Sequence, residues 1–158
     1  MPQIFLDCDG VMADFDSYAE KIFGCPSRSA EAALGTKRFW CDLAGHDGFF
    51  CKLPLMADAM ELYTAVKHLS PIILTAVPKS GRDWAEPQKR TWAKEHFPDT
   101  KVICCFAEEK RLHMQPGDIL IDDWPKYKHL WEEAGGIFIL HTSAAQSIAE
   151  LKELGVLG

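Results

Sequence analysis

Five short apolar runs separated by amphipathic stretches constrain this chain more than any other feature. They are residues 3–8 (QIFLDC), 70–76 (SPIILTA), 101–106 (KVICCF), 118–121 (DILI) and 136–141 (GIFILH). Each is too short for a core helix and is rich in Ile, Val, Leu and Phe, as strands covered on both faces are. The segments 57–69, 84–97, 125–134 and 144–154 read as helices. Ala57, Met60, Leu62 or Tyr63, and Val66 follow a helical stripe, Gly135, Gly136 and Gly155 supply stops, and Pro125 stands where a helix start tolerates it. Strand and helix alternate, which predicts an α/β fold: a three-layer, Rossmann-like parallel sheet of about five strands.

Residues 12–52 break this rhythm. They contain FDSYAEKIFG, SRSAEAALGTKRFWCDL and AGHDGFFCKLPL, two or three short helical patterns with Gly and Pro punctuation and no convincing strand. A crossover helix needs far fewer residues. The expected organisation is a core of residues 1–11 and 53–158, with a small helical cap, 12–52, inserted after the first strand and sitting over one end of the sheet.

Composition narrows the field. At 158 residues and 47% hydrophobic, the chain has the apolar material for one packed domain, and it contains no run of ~20 apolar residues, so neither disorder nor a membrane span is expected. Against 17 Lys+Arg stand 23 Asp+Glu, a net charge of −6, which argues against long nucleic acid as a partner. The cysteines Cys8, Cys25, Cys41, Cys51, Cys104 and Cys105 show no CxxC pair and no zinc-finger spacing. With no signal-peptide pattern in MPQIFLDCDG either, a reduced, cytoplasmic chain is expected. Homodimer formation is compatible with the sequence, although no apolar stripe marks an interface.

The acids are not evenly spread. Asp7 and Asp9 stand in LDCDGV at the carboxyl end of the first strand, the sheet edge where open α/β folds bind ligands. A spacing of two puts both carboxylates on one side of an extended chain, and Gly10 then permits a sharp turn. Such a pair is unfavourable unless a cation or a shared proton offsets it. A calcium loop would need Gly and an acid where Met12 and Tyr18 stand, and a turn with side-chain caps is the simple alternative. A second cluster, Asp118, Asp122 and Asp123 in GDILIDDW, favours one shared cation site, because parallel strands deliver their carboxyl ends to one edge. Oxygen ligands without a His cluster point to Mg2+ rather than zinc. Between the clusters lie Thr75 and Lys110, a hydroxyl and a cation suited to a bound phosphate.

The order Asp-x-Asp, Thr, Lys, Asp-Asp resembles the haloacid-dehalogenase (HAD) superfamily of phosphatases and phosphotransferases. Through DCDGVMADF, KRFWCDL, GFFCKLPLMADAMELY, ILTAVPK, EEK and GDILIDD, residues 4–123 are similar to the 5'(3')-deoxyribonucleotidase family. The resemblance implies a HAD-like core and Mg2+-dependent hydrolysis of a small phosphorylated substrate, a nucleoside monophosphate, through an aspartyl-phosphate. It implies Asp7 as nucleophile and Asp9 as acid and base, with Asp7, the Asp9 carbonyl, Asp122 and Asp123 holding the metal. Thr75, the Ala76 backbone and Lys110 would bind phosphate, and the cap aromatics Phe15, Phe39 and Trp40 would stack on the base, with Phe39 and Trp40 equally readable as cap core. Where that family has Thr-Ser-Pro, this chain has Thr75-Ala76-Val77-Pro78, which removes one phosphate-contacting hydroxyl and puts substrate identity in question. Lys79 is a loop candidate for a substrate contact. Lys89 has a weaker claim, because a lysine on a helix with Lys94 beyond it reads as a solvated face residue. Trp84, Trp92, Trp124 and Trp131 read as packing. Another small metabolite, a polynucleotide end, or a non-catalytic nucleotide-binding module are the competing functions.

Overall fold

A computed structural model describes all 158 residues, Met1–Gly158. The five apolar runs form β1 (Ile4–Leu6), β2 (Ile72–Ala76), β3 (Val102–Cys105), β4 (Ile119–Asp122) and β5 (Ile137–Leu140). All pair in parallel in the order β3-β2-β1-β4-β5. The chain moves outward from β1 on one side, then crosses to β4 and β5 on the other. The carboxyl ends of β1 and β4 therefore flank the point where strand order reverses, the position at which such sheets leave a crevice.

Alternation along the strands divides the core unequally. Ile4, Leu6, Ile73, Ile119, Ile121 and Ile139 belong to a cluster of 29 buried residues, whereas Phe5, Leu74, Cys105, Met114, Leu120 and Trp131 form one of 6. The first face therefore carries most of the packing. It is covered by α4 (Ala59–Val66), α5 (Arg82–His96) and α7 (Ala144–Glu153), while the second meets α6 (Lys128–Glu133). Trp92 and Trp131 are buried and satisfy their indole N–H groups on the carbonyls of Leu53 (2.7 Å) and Asp118 (3.2 Å). Burying each large side chain contributes roughly 1.5–3 kcal/mol. Pro87 lies inside α5, where the buried Ala85, Trp92 and Ala93 offset the hydrogen bond it cannot make.

Between β1 and α4 the chain forms α1 (Phe15–Phe23), α2 (Ser27–Leu34), α3 (Thr36–Ala44) and a 3-10 turn at Phe50–Lys52. Asp14 caps α1 by accepting from Ser17 N–H, and Gly24 ends it in the left-handed conformation. The outgoing and returning connections lie side by side: Asp14 N–H donates to Pro54 O and Met56 N–H to Met12 O, both at 2.8 Å. Phe15, Phe39, Trp40, Phe49 and Phe50 pack on one another beneath these helices. All six cysteines are free, and no helix is long and apolar enough to cross a membrane.

Candidate active site

The site starts from a turn. After β1, the N–H groups of Val11, Met12 and Ala13 all converge on the Cys8 carbonyl, and Gly10 at φ +84° lets the chain fold back on itself. A Cβ on Gly10 would collide with the Asp123 carboxyl, so glycine is also what admits that carboxylate. Asp7 N–H donates to Ile121 O at 2.9 Å, which locks the end of β1 to the end of β4. Carboxylate oxygens of Asp7, Asp122 and Asp123 consequently lie within 4.8 Å of one another.

Lys110, in the 3-10 segment Ala107–His113, is buried and donates to Asp7 Oδ1 (2.8 Å) and Asp122 Oδ2 (3.0 Å). Asp122 Oδ1 also accepts from Trp124 N–H at 3.0 Å. Burial opposes the Lys110 charge, but the Asp7 and Asp122 carboxylates outweigh it and hold its pKa above the usual lysine value. One ammonium does not balance three acids. Burial, then repulsion from Asp122, raises Asp7 well above the usual carboxylate range, and the same causes push Asp123 up to about 7. A compact, largely buried, all-oxygen donor set that resists ionisation by itself, next to a cradle that a Cβ would fill, fits a small hard dication such as Mg2+.

Asp9 stands at the same sheet edge but is held differently. Its Oδ2 accepts from Lys89 Nζ at 2.7 Å, and its Oδ1 is buried without a partner. Lys89 also donates to Thr75 Oγ1 at 2.9 Å and lies 4.6 Å from the centre of the Phe50 ring. The expectation of a solvated Lys89 is therefore wrong: the residue is 2% exposed, on the side of α5 that carries Ala85, Trp92 and Ala93. The signal was available, since Ala85, Lys89, Trp92 and Ala93 follow i, i+4, i+7, i+8 on one apolar stripe.

A cavity of about 590 Å3 joins these groups to the helices between β1 and α4. Its lining includes Asp7, Asp9, Ala76, Lys110, Asp122 and Asp123 from the sheet edge, and Phe15, Phe39 and Trp40 from α1 and α3. Phe39 is 3% exposed and stacked on Phe23 at 5.1 Å, so it mainly serves the packing of its helices, while Phe15 and Trp40 are half-buried. Lys79 is not in the lining, and its ammonium pairs with Glu108 at the surface at 2.6 Å. Two further expectations are corrected. Asp118 precedes β4 at the opposite edge of the sheet, where its oxygens accept from Gln3 N–H (2.9 Å) and Gln115 N–H (2.8 Å) and tie down the chain. Trp124 is not packing but stands 41% exposed at the cavity rim, because it follows the strand end with Pro125 turning the chain outward.

No family model and no curated protein sequence matches this chain. Solved structures do. A HAD-superfamily hydrolase from Ehrlichia chaffeensis superposes with a TM-score of 0.56 at 14% identity, covering 98% of each chain. A hydrolase from Streptococcus pneumoniae TIGR4 gives 0.51 at 12% identity, over 96% of each. What is shared is the fold, a HAD-like parallel sheet with flanking helices.

Proposed function

We propose that this protein is a Mg2+-dependent phosphomonoester hydrolase that works through an aspartyl-phosphate on Asp7, with (deoxy)nucleoside monophosphates as substrates in the manner of a 5'(3')-deoxyribonucleotidase. The observation that carries the reading is the triad of carboxylates within 4.8 Å at the β1 and β4 ends, two of them buried and bridged by Lys110. Asp7, Asp122 and Asp123, with the Asp9 carbonyl, would hold the metal, which supplies charge screening between carboxylate and phosphate.

Lys110 keeps Asp7 Oδ1 engaged, so attack on phosphorus falls to the other oxygen. An Asp7 O–P bond forms and the ester P–O bond breaks, while Asp9 gives its proton to the departing alkoxide. Water then attacks the acyl-phosphate, Asp9 takes its proton, and the P–O bond to Asp7 breaks to release phosphate. The Ala76 N–H and the Lys110 ammonium would bind the transferring oxygens, while Thr75, buried outside the cavity lining with its hydroxyl on Lys89, would hold that lysine. Phe15 and Trp40 supply an aromatic wall for the base. In this reading α1 to α3 act as the cap. A small anionic substrate suits the site because the local field of metal and lysine overrides the net charge of the whole chain.

The test is phosphate release across deoxy- and ribonucleoside monophosphates and p-nitrophenyl phosphate, with Mg2+ or EDTA, for the unaltered protein and Trp40→Ala. Expected are turnover only with Mg2+ and a KM for nucleotides raised by the ~1–3 kcal/mol that a base stack contributes, with the KM for p-nitrophenyl phosphate unchanged. Turnover in EDTA would overturn the metal assignment, and an equal effect on both substrate types would overturn the stacking role.

A further inference from the structure

A buried ammonium needs compensation, and Lys89 finds it in Asp9, which lines the cavity, and in the buried Thr75 hydroxyl. Its Nζ, 2% exposed at the side-chain level, donates to Asp9 Oδ2 at 2.7 Å and Thr75 Oγ1 at 2.9 Å, and the Phe50 ring lies 4.6 Å away. The stem is held in turn by α5, whose Trp92 is anchored on the Leu53 carbonyl at 2.7 Å. The Asp9 carboxylate, by contrast, has no other protein donor: Oδ1 is buried and unpartnered, on a residue that lines the cavity.

We infer that Lys89 is a positioning residue that fixes the rotation of the Asp9 carboxyl, the group that exchanges a proton with the substrate. The inference rests on the phosphatase reading, in which Asp9 is the acid and base. The terminal torsion of an aspartate is broad and roughly two-fold, so a carboxyl tethered at neither oxygen samples many orientations. Pinning Oδ2 to Lys89, with Oδ1 enclosed by the protein, holds the carboxyl in one orientation. The tether is itself tethered: Thr75 ends β2 and Phe50 belongs to the 3-10 turn, so Lys89 reads the relative placement of sheet and insert and passes it to Asp9. An ammonium has three donors and two are used, so a direct phosphate contact is the competing role, and the two roles differ in what they do to leaving groups. A mispositioned acid slows expulsion of poor leaving groups that need a proton. A lost phosphate contact affects all substrates alike.

Lys89→Met and Lys89→Arg should be compared with the unaltered protein on a series of phosphomonoesters from p-nitrophenyl phosphate to nucleoside monophosphates. Misplacing a reacting group by about 1 Å costs roughly a hundredfold, so Lys89→Met should lose about that much kcat on nucleotides and less than about tenfold on p-nitrophenyl phosphate. Lys89→Arg, which keeps a charged donor, should recover part of the difference. Equal losses across the series, a change confined to KM, or no loss would each overturn the positioning role. If neither variant folds by circular dichroism, Phe50→Leu, which removes the ring beside Nζ but keeps the ion pair, should show the same leaving-group dependence at smaller size, and its absence would count against the inference. Failure of the unaltered protein to release phosphate from any ester would instead defeat the phosphatase reading, and the role of Lys89 with it.

Discussion

Two buried lysines pair with three of the four acids at the sheet edge and leave Asp123 without one. Lys110 bridges Asp7 and Asp122, whereas Lys89 takes Asp9 alone. The carboxylate that would attack and the carboxylate that would move protons thus have separate counter-charges, which allows adjacent acids on one strand end to behave differently. Asp9→Asn should lower kcat on nucleoside monophosphates by about 10²–10⁴, the usual share of a general acid or base, with an unchanged circular dichroism spectrum. A loss below tenfold would remove Asp9 from that role. At this scale the expectation that Asp7 and Asp9 share one sheet edge with Asp122 and Asp123 was legible, because strand ends and like-charge pairs are visible in one dimension. For Lys89 the burial was legible in the apolar stripe it shares with Ala85, Trp92 and Ala93, but its partners Asp9 and Thr75, far away in sequence, were not. Asp118 misled for the complementary reason. An acid beside an apolar run looks the same whether it precedes or follows the strand, yet those positions are opposite edges of the sheet.

The strands and the turn that follows β1 are where local sequence and site geometry meet. Each of the five expected strands forms within a few residues of its apolar run, because a doubly covered parallel strand is encoded by consecutive hydrophobic residues and little else. The insert was legible as helical, but the contribution of its aromatics was not, since Phe39 turns inward on Phe23 while Phe15 and Trp40 reach the cavity wall. Helix-face assignment in segments of about two turns depends on neighbours that the sequence does not identify. Gly10 is the most exacting position among these elements. Its φ of +84° and the Asp123 carboxyl pressed against it leave no room for a side chain. Gly10→Ala should therefore cost roughly 1–2 kcal/mol in backbone strain, visible as a lower Tm, and should raise the half-saturating Mg2+ for activity by displacing Asp123. A variant with unchanged Tm and the same half-saturating Mg2+ would contradict this account of the turn.

Across the whole molecule, the two edges of the sheet are treated differently. Arg82 and Arg90 donate to the outer carbonyls of β3 at Cys104 (3.4 Å) and Val102 (3.2 Å), with Glu86 tying both guanidinium groups together, whereas β5 leaves Ile137 and Leu140 exposed. The capped edge is closed to further strands. Charge also matters beyond the net −6 of the whole chain, because four of the acids meet at the site with two lysines between them. Burial and mutual repulsion raise Asp7 and Asp123, the latter to about 7 from the usual 3.8, so the folded metal-free protein binds protons that the unfolded chain has released. Stability contributed by these groups is complete below their unfolded pKa and is lost as pH rises through the raised values. The Tm of metal-free protein should accordingly fall between pH 5 and 8, Mg2+ should reverse the loss at pH 8, and Asp123→Asn should flatten the profile. A Tm that rises over this range in the unaltered protein and ignores Mg2+ would contradict the metal site. The most direct test of the central claim is to trap the covalent intermediate. In Asp9→Asn, p-nitrophenyl phosphate needs no acid to lose its phenolate, but hydrolysis of the acyl-phosphate lacks its base, so the intermediate should accumulate. Acid quench, borohydride reduction and peptide mass spectrometry should then find homoserine in place of aspartate at position 7. An unmodified Asp7 alongside sustained phosphate release, or reduction at a different carboxylate, would contradict the account.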